Sequence, residues 1–174
     1  VKVTKLKQRW SIKMAKKHYY TWVDIENMCH EISYKMMRDN WKPEVIVGIT
    51  RGGNIPATIL SHMNKVPTTT MKVSFRDDDN ADRDHWCSRI CTEKNVLIID
   101  DINDTGSTFN WIYDDWALGG RDHKVKFATL TENLASNFKS EVSYSAHEVN
   151  KSEKNVWLVY PWEIVGVYKE DNAK

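Results

Sequence analysis

Residues 96–109 read VLIIDDINDTGSTF, and the first four constrain the fold more than any other stretch. An unbroken run of Val, Leu and Ile has no alternation to give it a solvent face. It therefore reads as a strand covered on both sides, the kind found in parallel sheets with helices on either face. The run then drives into Asp100 and Asp101, a doubled charge that a buried strand does not carry without a use. A third acid, Asp104, follows, and then Thr105, Gly106, Ser107 and Thr108.

Weaker signals on either side agree with that frame. Thr21 and Asp24 have capping-box spacing ahead of Ile25, Met28, Ile32, Met36 and Met37, which predicts an amphipathic helix ending near Asn40. EVIVGI (44–49) is a second β-branched run. It leads into TRGGNIPA, after which Ile55, Ile59, Leu60 and Met63 share a helical face, with Pro56 in the first turn. Further strands are predicted over 66–75, 95–100 and 124–131. Phe109, Ile112 and Trp116 mark a helix that Gly119-Gly120 stops. Residues 133–155 are polar and give no clear element, and two late strands are read over 156–160 and 163–168, around Pro161. Strands alternating with helices predict a single α/β domain over 1–174, a mostly parallel twisted sheet with helices on both faces.

Composition mainly excludes. A net charge of +1 does not ask for a polyanionic partner, and three cysteines (Cys29, Cys87 and Cys91) are too few for a disulfide framework. No apolar run reaches the length of a membrane span, and the basic N-terminal segment has no apolar stretch behind it. A cytoplasmic protein without membrane contact is expected. Residues 1–17 carry seven Lys or Arg and no acid, and read as a solvated, partly frayed end rather than a nucleic-acid arm.

Two strand-to-helix turns carry the chemistry, because ligands of open α/β sheets collect at the carboxyl ends of strands. The first is ITRGGN (49–54). Its glycines, Gly52 and Gly53, admit an anion close to backbone N–H groups, and Arg51 adds a planar cationic fork. The second is Asp104 to Thr108, whose hydroxyls and N–H groups make an anion site at the positive end of a helix dipole. Asp100 and Asp101 lie between the two. They would repel phosphate, but they accept well from vicinal hydroxyls and can hold Mg²⁺. A sugar diol flanked by two phosphoryl groups satisfies all three elements. An EF-hand reading fails because its twelfth position would be Ile112, and a Walker-type reading fails for want of a GxxxxGK[ST] loop.

The stretch 96–108 resembles the phosphoribosyl-pyrophosphate (PRPP) motif of type I phosphoribosyltransferases, and GITRGG resembles that family's pyrophosphate loop. TWVDIENMCHEI and VWLVYPWE are similar to the entry helix and the base-binding hood of its xanthine-guanine and hypoxanthine-guanine branch. The resemblance implies transfer of ribose 5-phosphate from PRPP to a purine nucleobase with release of pyrophosphate, a purine-salvage reaction that needs Mg²⁺. By the same resemblance, Asp100 and Asp101 bind the ribose hydroxyls and the metal, and Asp104 to Thr108 hold the 5′-phosphate. Thr50, Arg51, Gly52 and Gly53 contact pyrophosphate. Trp157 stacks on the base, Glu163 is the hood's acid, and Asp104 is the base near purine N7, with Arg51 the second catalytic group. A homo-oligomer, dimer or tetramer, is expected, with no nucleic-acid partner. The alternative is a PRPP- or nucleotide-binding regulator that contacts RNA or DNA.

Three segments are set apart within the domain: the basic segment 1–19, a flexible loop over 75–94, and a hood-forming C-terminal region over 133–174. The loop is rich in Asp, and its His85, Cys87 and Cys91 are too few for a zinc site, so they read as mobile-loop residues. The 6-oxopurine branch places a base-reading lysine just after the strand equivalent to FATLT. Here Asn133 stands at that place, with Glu132 beside it. An amide that donates or accepts by flipping predicts a weaker oxo preference than lysine gives.

Overall fold

The computed structural model describes residues 16–73, 85–119 and 124–164. In chain order the elements are β1 (Lys16–Tyr19), α1 (Trp22–Arg38), β2 (Val45–Thr50), α2 (Asn54–Asn64), β3 (Thr68–Lys72) and α3 (Cys87–Ile90). Then come β4 (Val96–Asn103), α4 (Ser107–Asp115), β5 (Val125–Asn133), β6 (Tyr144–Val149) and β7 (Val156–Val159), and a 3-10 turn over Pro161–Glu163. The main sheet has the order β3-β2-β4-β5-β6 with every pairing parallel. β1 and β7 form a separate parallel pair.

Period-2 alternation explains why Val96–Ile99 needs no polar member. Leu97 and Ile99 join Ile46, Ala128 and Leu130 on the face covered by Ile25, Ile32, Met36 and Leu60 of α1 and α2. Val96 and Ile98 join Val47, Ile49 and Phe127 on the other face, under Phe109, Ile112 and Trp116. α1 starts with the expected capping box: Asp24 N–H donates to Thr21 Oγ1, and Thr21 N–H donates to Asp24 Oδ2.

Several boundaries differ from expectation for physical reasons. Met37 is 69% exposed, because Met36 already takes the inward place one residue earlier. α4 ends at Asp115 rather than running on to the glycines. Leu118 N–H donates to the Tyr113 carbonyl across Ala117, which sits at φ 48. Burial of Trp116 and Leu118 on either side pins Ala117 in that left-handed conformation, so the helix is closed before Gly119 is reached. β4 does not end at the acids but runs through them to Asn103.

β6 lies in the stretch that gives no clear element in the sequence. It is an edge strand, buried at Tyr144 and Ser145 and exposed at His147 and Glu148, so it lacks an apolar run. Residues 16–19 are a strand paired with β7 rather than a frayed end, and residues 1–15 lie outside the described residues. Of the late strand read over 163–168, Glu163 sits in the 3-10 turn and 165–168 lie outside the described residues. The expected loop over 75–94 is described only from His85. There Cys87 and Cys91 are fully buried in the core under β2 and β4, which corrects their reading as mobile-loop residues. His85 is held too, its ring stacked on Trp116 at 6.1 Å and its Nε2 3.1 Å from Thr70 O. Burial pushes the Cys87 thiol up to about 12. Among the described residues no helix is long and apolar enough to cross a membrane.

Ile32, with no exposed surface on the inner face of α1, reports on this packing. Ile32→Ala is expected to cost about 2–5 kcal/mol. Urea denaturation should show a lower midpoint at unchanged slope.

Candidate active site

The chain leaves β2 towards β3 on one side and returns to β4 on the other. The loops after β2 and β4 thus diverge from adjacent strand ends, and a crevice opens at this switch point. Both unusual turns of the sequence lie here.

The first turn is folded tightly. Gly53 N–H donates to Ile49 O at 2.8 Å, Asn54 N–H donates to Arg51 O at 3.3 Å, and the Thr50–Arg51 peptide is cis. Arg51 is exposed at the tip of the turn, and Thr50 is half-buried at the end of β2. The glycines also serve a contact within the protein. A Cβ on Gly52 would lie 2.0 Å from Asp101 Oδ2, and one on Gly53 would lie 2.3 Å from Ile99 O. Side chains at either position would push the turn off β4.

Asp100 and Asp101 are both half-buried. Asp101 N–H donates to Asp100 Oδ1 at 2.9 Å, and Ile102 N–H donates to Asp101 Oδ1 at 2.8 Å. Burial, reinforced by the neighbouring Asp101 charge, holds the Asp100 carboxyl well above the usual range. Burial raises Asp101 to about 6, with the Glu163 charge adding to it. Paired carboxylates that resist ionisation are stabilised by any cation or hydroxyl donor brought to them.

The segment after β7 is tied to this pair. Tyr160 Oη donates to the Asp101 backbone carbonyl at 2.9 Å, and its ring stacks between Tyr20 and Trp162 at 5.2 and 4.9 Å. Glu163 is exposed, and its carboxylate accepts from Tyr160 N–H at 2.9 Å, which braces the 3-10 turn. Trp157, on β7, leaves 51% of its surface exposed.

The second turn starts at Asp104 and enters α4 through Gly106, at φ 88. Thr105 Oγ1 and Ser107 Oγ are 2.9 Å apart and exposed, and Thr108 is half-buried in the first helical turn. A Cβ on Gly106 would meet Phe138 N at 2.4 Å. Asn137 N–H donates to Thr105 O at 3.0 Å, and Asn110 Nδ2 donates to Asn137 O at 2.9 Å. Residues 137 and 138 thus back the turn, a support that no motif in their polar stretch announces.

Asn133 needs correction as a flipping amide. It is buried, and its Nδ2 donates to Asp104 O at 2.8 Å. Its Oδ1 accepts from Ala135 N–H at 3.2 Å and Lys151 N–H at 3.0 Å. Two backbone donors on the oxygen and a carbonyl on the nitrogen fix the orientation, so the amide braces Asp104. Lys151, which no motif singles out, places its Nζ 2.9 Å from Asp104 Oδ1. Glu132 lies beside Glu148 across the β5–β6 pairing, and burial raises its carboxyl.

The acids and the glycine can each be tested. Asp101, at about 6 in the folded chain against 3.8 ordinarily, gains a proton on folding between those values. Stability therefore falls as pH rises through that window. Asp101→Asn should raise the Tm at pH 7.5 in chelator and lose the advantage at pH 4; equal melting at pH 7.5 would contradict the assignment. Gly106→Val should disrupt the turn against Phe138 and abolish ligand binding while circular dichroism shows the sheet retained; a folded variant that binds normally would exclude this turn.

Residues 16–162 match the phosphoribosyl transferase domain family. The hypoxanthine-guanine phosphoribosyltransferase of Schizosaccharomyces pombe is 24% identical over 191 residues, covering 88% of this chain and 92% of its own. That of Saccharomyces cerevisiae is 25% identical, covering 84% and 86%. A crystal structure of a purine phosphoribosyltransferase from Pyrococcus horikoshii is 28% identical, covers 88% of this chain and 99% of its own, and superposes with a TM-score of 0.65. With the match running from β1 into the 3-10 turn and enclosing both turns of the crevice, this chain belongs to the phosphoribosyl transferase domain family.

Proposed function

We propose that the protein transfers ribose 5-phosphate from PRPP to a purine nucleobase and releases pyrophosphate, with 6-oxopurines as the preferred bases. The observation that carries this reading is the Asp100–Asp101 pair, held between the glycine turn and the Asp104–Thr108 turn at the switch point. The names of the relatives support the purine.

In this reading the N–H groups and hydroxyls of the turn Thr105, Gly106, Ser107 and Thr108 bind the 5′-phosphate, aided by the dipole of α4. Thr50, Arg51, Gly52 and Gly53 bind pyrophosphate. Asp100 and Asp101 accept from the ribose hydroxyls, and their carboxylate oxygens, costly to ionise without a cation, also fit Mg²⁺ bound through one or two carboxylates and substrate phosphates. Among the described residues no group of three His, Cys, Asp or Glu side chains could hold a metal ion by itself. A bound Mg²⁺ would supply charge neutralisation for the departing pyrophosphate. Trp157 stacks on the base, Asp104 accepts the proton at N7, and Glu163 keeps the hood turn in place. Positioning and charge stabilisation carry most of the rate. A cytoplasmic homo-oligomer, dimer or tetramer, completes the reading. No observation in the site favours the regulatory alternative, whose support is the basic segment that lies mostly outside the described residues.

The test is incubation with PRPP and Mg²⁺ against guanine, hypoxanthine, xanthine and adenine. Pyrophosphate release with the oxopurines, abolished by chelator, is expected; no release with any base would overturn the reading.

A further inference from the structure

The Lys151 ammonium stands on Asp104, the group that the proposed function sets against the base, and that reaction does not yet use it. Lys151 lies in the β6–β7 turn, where Asn150 O accepts backbone N–H bonds from Glu153 at 3.2 Å and Lys154 at 3.0 Å. Its own N–H is held by Asn133 Oδ1 at 3.0 Å, and its Nζ by Asp104 Oδ1 at 2.9 Å. Asn133 bonds the Asp104 carbonyl as well, so one buried amide joins the two residues. Lys151 is anchored at both ends, with only 20% of its side chain exposed against 32% for Asp104.

An ammonium has three donors and no acceptor. The ion pair with Asp104 holds that ammonium beside the carboxylate, where its N–H groups are within reach of a base bound there. The turn that carries Lys151 runs directly into β7 and Trp157. A purine stacked on Trp157 with N7 against Asp104 brings its position 6, the neighbouring substituent, towards the same ammonium. An oxo group there accepts from it, whereas an amino group offers only hydrogens.

Resting on the reading of the site as a purine phosphoribosyltransferase, we propose that Lys151 reads position 6 of the base. The role that the resemblance implies for Asn133 thus passes to a lysine from a different turn, and Asn133 becomes the brace that sets it. The pairing with Asp104 has a second effect: it fixes one carboxylate oxygen, so the other is the one presented to N7.

The test uses the full chain and two substitutions at this position. Lys151→Met keeps the stem and removes the donors; Lys151→Gln offers both a donor and an acceptor. Relative kcat/KM for hypoxanthine over adenine should fall about 10- to 100-fold in the Met variant, the worth of one charge-assisted hydrogen bond, and by less in the Gln variant. Binding of inosine and adenosine 5′-monophosphates, followed by tryptophan fluorescence, should shift in the same direction. A lysine that only supports Asp104 would lower turnover of both bases and leave both ratios unchanged, which would overturn the proposal. If the wild type turns over no base but the nucleotide preference still shifts, the enzyme reading falls and Lys151 stands. Turnover with unchanged ratios removes Lys151 alone.

Discussion

The seating of the Gly52–Gly53 turn against the acidic end of β4 is the contact on which the crevice depends. At both positions a single added carbon would overlap Asp101 or the β4 backbone. The turn can therefore approach β4 closely enough to set a cationic tip, two carboxylates and a helix N-terminus around one volume. The burial that results is also what makes the carboxylates reluctant to ionise. Close packing and unfavourable electrostatics have one cause, and a ligand carrying hydroxyls or a cation relieves the second without disturbing the first.

The segment after β7 reaches the same point from the other side. Tyr160 has its phenol on the Asp101 carbonyl and its ring within an aromatic column, so a displacement of β7 is felt at the acids. The Asn133 amide plays a similar part at Asp104, joining the end of β5 to the turn after β4 and to the turn before β7. Both connections grip a backbone carbonyl, so neither occupies the carboxylates of Asp100 and Asp101.

The parts of the fold legible in the sequence are those with local causes. Val96–Ile99 announces a two-faced strand because both its parities are apolar, and Thr21 with Asp24 announces a helix start because the cap closes within one turn. The strand-to-helix turns are legible because glycines, hydroxyls and acids cluster within a few residues. β6 is not, since an edge strand needs no apolar run. Nor is Lys151, whose partner lies on another strand's loop and whose neighbours are ordinary polar residues. Asn133 stands where the resemblance puts a base-reading residue, but its amide is held otherwise, because alignment locates a residue and does not count the backbone groups that will claim its amide.

The β1–β7 pair has a consequence for the order in which the molecule is made. Lys16 lies opposite Val156, and Tyr19 opposite Val159, so the earliest described strand waits for the last described one before it has a partner. The main sheet can assemble strand by strand during synthesis, while the ribbon that carries Trp157 cannot close until β7 has left the ribosome. Closing so long a loop is entropically slow rather than costly in stability. A nascent chain would thus acquire its crevice first and the Trp157 wall last, and the acids would wait uncovered at the strand ends until Tyr160 arrived to lean on them.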